Sequence, residues 1–334
     1  MRTLRFVAKA APVESQIIDR INRGFEYVEL QLVETNTDPS DIVELIDRYS
    51  DKIKVVGVHS PIVHTKHPEL DCVNLECISN RNVYNLLKYS FTIANKIGEL
   101  YQTPDIPFTY IPVIVHTSFS ELQWEYYSSL TDSVFRIMNN LMFDHPHVSV
   151  SIENVIPTYN NLRMSNGFFF EDVVVAKEKL QDAVFESFRD RVACSFDTCH
   201  SWISEAVIRA LRNRFPSDGI VSVADRGYYF LEDIVKFNKH IERIHVASCK
   251  GMGSGKGRHG CSLADEGTFS RHFISVLYET LNKLPKNKKI PYIVLEVTED
   301  DYESAVGTEE SRDLIIELFK EFERKEKESK KLSK

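Results

Sequence analysis

The stretch IPVIVHTS, residues 111–118, is a run of mostly β-branched apolar residues that stops at a histidine, His116. The same form recurs along the chain. VGVHS (56–60) stops at His59, SIEN (151–154) at Glu153, CSFDTCH (194–200) at Asp197 and His200, RIHVAS (243–248) at His245, and IVLEV (293–297) at Glu296. In full, eight strand-like runs are read: Leu4–Lys9, Tyr27–Leu32, Lys54–His59, Ile111–His116, His147–Glu153, Val192–Asp197, Arg243–Ser248 and Pro291–Glu296. Amphipathic segments alternate with them, at Val13–Arg23, Pro39–Tyr49, Asn80–Ile97, Ser120–Met142, Glu171–Leu180, Ser204–Arg214, Thr268–Leu284 and Glu309–Lys320. In the second, Ile42, Val43 and Ile46 fall at helical spacing and would face a sheet. Strand and helix alternating eight times predict an α/β protein, a (β/α)8 TIM barrel.

Composition agrees with one large folded unit. The 334 residues are 43% hydrophobic and 27% charged, which excludes disorder as the main state. No Pro/Gly/Ser linker divides the chain, so a single barrel is expected over residues 1–320. Residues 321–334 form a densely charged tail, expected to be a solvated helix end. No apolar run approaches the length of a membrane span, and MRTLRFVAKAAPVESQ does not read as a secretory signal, so a cytoplasmic location without membrane partners is expected. The six cysteines contain no CxxC pair and read as reduced thiols. A net charge of −8 argues against indiscriminate coating of nucleic acid.

Barrel active sites lie where the strands end at the C-terminal face, so the residues that terminate the runs are the informative ones. Glu153, Asp197 and Glu296 would share one low-dielectric mouth, where like charges repel unless a cation neutralises them. With His59, His116, His200, His245 and His259 beside them, the mouth has more candidate ligands than one four-coordinate ion uses. Zn²⁺ or Mn²⁺ suits that mixture of imidazole and carboxylate, and two or more ions are expected. In the loop KGMGSGKGRHG (250–260), Lys250, Lys256 and Arg258 are candidate binders of a substrate phosphate. The same loop is not a nucleotide-triphosphate loop, because Gly257 follows Lys256 where Ser or Thr is required. Cys199, read as lying on the strand end beside His200, is expected to be a packed thiol, and the run Phe168–Phe170 is expected to cover the sheet or a partner surface.

The motifs HSP (59–61), ENV (153–155), DTCH (197–200) and HGCSLADEG (259–267) resemble those of the xylose-isomerase-like TIM barrels, which include endonuclease IV (AP endonuclease family 2) and many sugar isomerases and epimerases. The resemblance covers nearly the full length. It implies that His59, His116 and Glu153 hold one metal and that Glu153 bridges to a second held by Asp197, His245 and Glu296. A third ion in that family takes a histidine equivalent to His200 and an Asp-x-His pair, which here is Gly257 and His259, so the aspartate is missing. Ile62 replaces the tyrosine that intrudes at a DNA lesion, and the arginine-bearing loop after strand two is ETNTDPSD (34–41).

The leading expectation is therefore phosphodiester hydrolysis, cutting DNA at abasic or altered nucleotides by a hydroxide held between two metals. Glu153 or Glu296 would accept the proton, and His200 and His259 would stabilise the departing oxygen. The alternative is a single-metal isomerase or epimerase of a small sugar or sugar phosphate, in which Glu153, Asp197, His245 and Glu296 hold the ion and the two glutamates trade a proton. A non-catalytic metal-binding scaffold is the third reading.

Overall fold

The computed structural model describes residues 3–32, 37–61, 78, 80–103, 109–116, 132–156, 169–214, 232–249, 260–265, 270–286 and 290–332. Eight parallel strands close a barrel in sequence order: β1 Phe6–Ala10, β2 Tyr27–Gln31, β3 Lys54–His59, β4 Ile111–His116, β5 Val148–Glu153, β6 Val192–Asp197, β7 Ile241–Val246 and β8 Tyr292–Leu295. β8 closes onto β1 through Val7 and Val294.

Side chains alternate along each strand, so one set faces the helices and the other the barrel axis. Ala8 and Ala10, Val28 and Leu30, Val113 and Val115, Val150 and Ile152, Ile244 and Val246, and Ile293 and Leu295 belong to the main apolar core. The intervening positions are therefore the inward ones. They include Lys9, Glu29, His116, Glu153, Asp197 and His245, which explains why a strand otherwise made of valine and isoleucine carries one charged or titratable residue.

Two register shifts adjust which residues face inward. Between β2 and β3 the pairing steps from Val28–Val55 to Glu29–Gly57, and between β6 and β7 it steps from Cys194–Ile241 to Ser195–Arg243. Each shift leaves one extra residue, Val56 or Glu242, on the later strand, as a β-bulge does. The effect is to bring Gly57 and Arg243 into the barrel together.

The helix after β6 runs Thr198–Arg214 and starts directly at the strand end, not at Ser204. Cys199 and His200 thus lie in its first turn rather than on a strand. The reason is local: Asp197 Oδ1 accepts the backbone N–H of His200, three residues on, at 2.5 Å, the arrangement of an N-cap. Cys199 is buried, with its thiol 3.7 Å from the Ser248 carbonyl, and Phe170 packs edge-on against Phe196 at 4.9 Å. The last helix, Val306–Leu332, passes through residue 320 without a break, and its residues from Arg324 to Lys331 are exposed. Among the described residues no helix is long and apolar enough to cross a membrane.

Candidate metal centre

Below the mouth, the barrel axis is crossed by a guanidinium. Arg243 from β7 donates to Glu29 Oε2 of β2 at 2.6 Å and to the Val56 carbonyl at 2.8 Å. Gly57 makes room for it, since a Cβ there would lie 2.2 Å from Arg243 Nη1 and 3.0 Å from Glu29 Oε2. Gly57→Ala is accordingly expected to destabilise the fold by about 1–3 kcal/mol, the usual cost of overpacking a filled interior, and a denaturant titration checks it.

Glu29 in turn contacts His245. Its Oε1 lies 3.2 Å from His245 Nε2, while His245 Nδ1 lies 2.8 Å from Glu296 Oε2 and 3.2 Å from Glu153 Oε2. The ring is held from behind by one carboxylate and shows its other nitrogen to two more, the usual way a histidine ligand is oriented. Burial pushes the Glu29 carboxyl up, but His245, Arg243 and Lys9 outweigh it and bring it down to about 2. Burial likewise disfavours the His245 imidazolium, yet Glu153, Glu29 and Glu296 hold its pKa well above the ordinary histidine value.

Glu153 is the hub. Its Oε1 lies 3.5 Å from His200 Nδ1 and 3.9 Å from His116 Nε2, and its Oε2 lies 3.6 Å from His59 Nε2. Burial pushes the Glu153 carboxyl up, and neighbouring His245 and His59 more than reverse this, keeping it well below the carboxylate range. His59 is pinned by Nδ1, 2.9 Å from the Ser60 carbonyl, so Nε2 is the nitrogen turned to Glu153. Burial drives His116 down to about 3, which keeps its ring neutral and able to ligate.

Asn154 fixes the neighbouring strand end. It donates through Nδ2 to the Asp197 carbonyl and to Ser201 Oγ, both at 3.0 Å, and accepts the Asp197 N–H at 2.7 Å. His200 Nδ1 pairs with the Asn154 carbonyl at 2.7 Å.

The donor set fits divalent metal. Among the described residues, ligand atoms lie within 4.8 Å of one another in each of three groups: His59, His116 and Glu153; Glu153, Asp197, His245 and Glu296; and His59, His245 and Glu296. Among the described residues, the buried atoms His59 Nε2, both Glu153 carboxylate oxygens and Glu296 Oε2 make no well-formed hydrogen bond and crowd one another and His245 Nδ1 instead. Buried polar atoms without partners are costly, and a cation would satisfy them together.

The centre brings His59, His116, Glu153, Asp197, His245 and Glu296 into these groups, while His200, also expected as a ligand, lies 3.5 Å from Glu153 but in none of them, its Nδ1 turned to the Asn154 carbonyl. His259, Lys250, Lys256 and Arg258 lie outside the described residues, as do Gly257 and Ile62. Three charged residues escaped the sequence reading: Glu29, Arg243, and Lys9 of β1, whose Nζ lies 2.5 Å from Glu296 Oε1 and 3.7 Å from Glu29 Oε1. The available signal was a lone charge inside an apolar barrel strand, as in FVAKA and YVELQ.

Solved structures share this architecture. A xylose isomerase domain protein from Planctomyces limnophilus superposes with a TM-score of 0.57 at 12% identity, covering 95% of this chain and 97% of that one. The chain has the fold of the xylose-isomerase-like TIM barrels. Two more barrels of this kind are similar. D-allulose 3-epimerase from Methylomonas sp. has a TM-score of 0.53 at 10% identity, covering 94% and 98% of the two chains. The IolI protein, solved with a bound zinc atom, has a TM-score of 0.50 at 11% identity, covering 95% and 99%. No protein-family model and no curated protein sequence matches.

Proposed function

We propose that this xylose-isomerase-like barrel is a metal-dependent phosphodiesterase whose centre takes two divalent ions sharing Glu153, with DNA at an abasic nucleotide as its substrate. The observation that carries this reading is the second ligand group, His59, His116 and Glu153, which shares Glu153 with the group of Asp197, His245 and Glu296. A single ion held by Glu153, Asp197, His245 and Glu296 would leave His59 and His116 outside its ligand set. Divalent ions in such a centre supply an activated water and neutralise charge on phosphoryl oxygens.

The chain's own residues do the positioning. Asn154 ties the ends of β5 and β6 together, which sets Asp197 relative to Glu153. Glu29 and Arg243 hold His245 from below, and the Ser60 carbonyl turns His59 toward Glu153. Glu296, at the rim, is placed to take a proton from the attacking water. Lesion selectivity would follow from extrusion, since an abasic nucleotide costs less to turn out of the duplex than a paired base, and a deep mouth can use that difference.

A second reading is favoured by the structural comparisons, which include an epimerase and a zinc-bound barrel. In it, Glu153, Asp197, His245 and Glu296 hold one ion and the two glutamates move a proton on either side of a small sugar. One assay pair separates the two. A duplex with one abasic site should be cut by the native protein and spared by Asp197→Asn, while undamaged duplex survives. Epimerisation of a ketose without any cutting would replace the hydrolytic reading with the second.

A further inference from the structure

We propose that Lys9 is a further substrate-binding residue of this centre, its ammonium the partner of an anionic phosphoryl oxygen. The inference rests on the metal reading above and adds a residue to it.

Three observations converge. First, Lys9 is level with the ligands: it pairs in register with Glu29, one strand position after Ala8 pairs with Leu295, which precedes Glu296. Second, its side chain reaches the open edge of the group, although Nζ itself is buried against the rim carboxylate Glu296. The side chains of Lys9 and Glu296 keep 11% and 14% exposure, whereas Glu29, Glu153 and His245 keep none. Deeper in the barrel, the charge of Glu29 is already answered by Arg243. Third, its present bond is one that a metal would weaken. Lys9 has Glu296 at 2.5 Å, while Glu29, its other acidic neighbour, is at 3.7 Å and already pairs with Arg243. A carboxylate that shares its charge with a divalent ion is a poorer partner for an ammonium, so Lys9 is left beside the ion with charge to offer. An oxyanion held at the rim is the group that answers it.

The charge balance points the same way. Glu29, Glu153, Asp197 and Glu296 face two permanent cations, Lys9 and Arg243, so the described centre is two charges negative when its histidines are neutral. Two divalent ions would make it positive, a mouth suited to a phosphodiester and not to a neutral sugar.

The test uses opposite signs. Zn²⁺ is titrated into the metal-stripped full-length protein, and inorganic phosphate is then titrated into the loaded protein. Lys9→Met is expected to bind Zn²⁺ at least tenfold more tightly, because a like charge has been removed, and phosphate at least tenfold more weakly. Lys9→Arg should keep phosphate affinity within threefold of the native protein. If Lys9→Met does not fold, Lys9→Gln is measured against the same expectation. A variant that binds Zn²⁺ more weakly and phosphate unchanged makes Lys9 a structural counter-ion and overturns the inference alone. A native protein that takes up no Zn²⁺ overturns both the inference and the metal reading beneath it.

Discussion

Replacing Glu153 by glutamine should reduce metal binding at both ion positions at once. Both carboxylate oxygens of Glu153 are buried, Oε1 facing His116 and Oε2 facing His59 and His245, and Glu153 belongs to both ligand groups, so one amide substitution weakens two sites. Loss of partners outside the coordination sphere alone costs about 10–100-fold in metal affinity, so on the order of 100-fold or more is expected at each position here. His116→Ala is the contrast: His116 belongs to one group only, and its loss should leave the ion held by Asp197, His245 and Glu296 in place. Calorimetric titration with Zn²⁺ reads both variants. A Glu153→Gln protein with native affinity at either position would remove the shared carboxylate from the account.

The second large effect is on stability. Glu29→Ala leaves the Arg243 guanidinium in the barrel interior with its closest carboxylate partner gone and only the Val56 carbonyl and the more distant, partly exposed Glu242 carboxylate, 3.4 Å from Nε, to face. Breaking a buried pair by removing one partner costs about 3–5 kcal/mol, because the remaining charge is stranded in low dielectric. Unfolding in denaturant should show that loss without added metal. Restoring neutrality with the double change Glu29→Ala, Arg243→Met should recover a substantial part of it, which separates stranded charge from lost packing. A single variant as stable as the native protein would mean that water reaches the guanidinium.

How much of this was legible in the sequence depended on where each residue stands in its strand. His59, His116 and Asp197 terminate apolar runs, and the bounds of β3, β4 and β6 follow directly from those runs. β7 starts at Ile241 rather than Arg243 because the charged pair Glu242–Arg243 interrupts its apolar pattern; one residue is a bulge and the other crosses the barrel. The first turn of the helix after β6 was hidden for a related reason: Thr198 and Cys199 are indifferent helix formers, and it is the Asp197 cap that starts the helix there. Lys9, Glu29 and Gly57 were not legible as parts of a centre. Each is an isolated polar or small residue in an apolar strand, and only closure of β8 onto β1 and the two register shifts bring them to one place.

The central claim, two divalent ions sharing Glu153, is tested most directly by counting metal. Elemental analysis with native mass spectrometry of the purified protein should find two Zn²⁺ or Mn²⁺ ions per chain, falling to none in Glu153→Gln. One ion per chain, retained when His59 and His116 are both replaced by alanine, would contradict it.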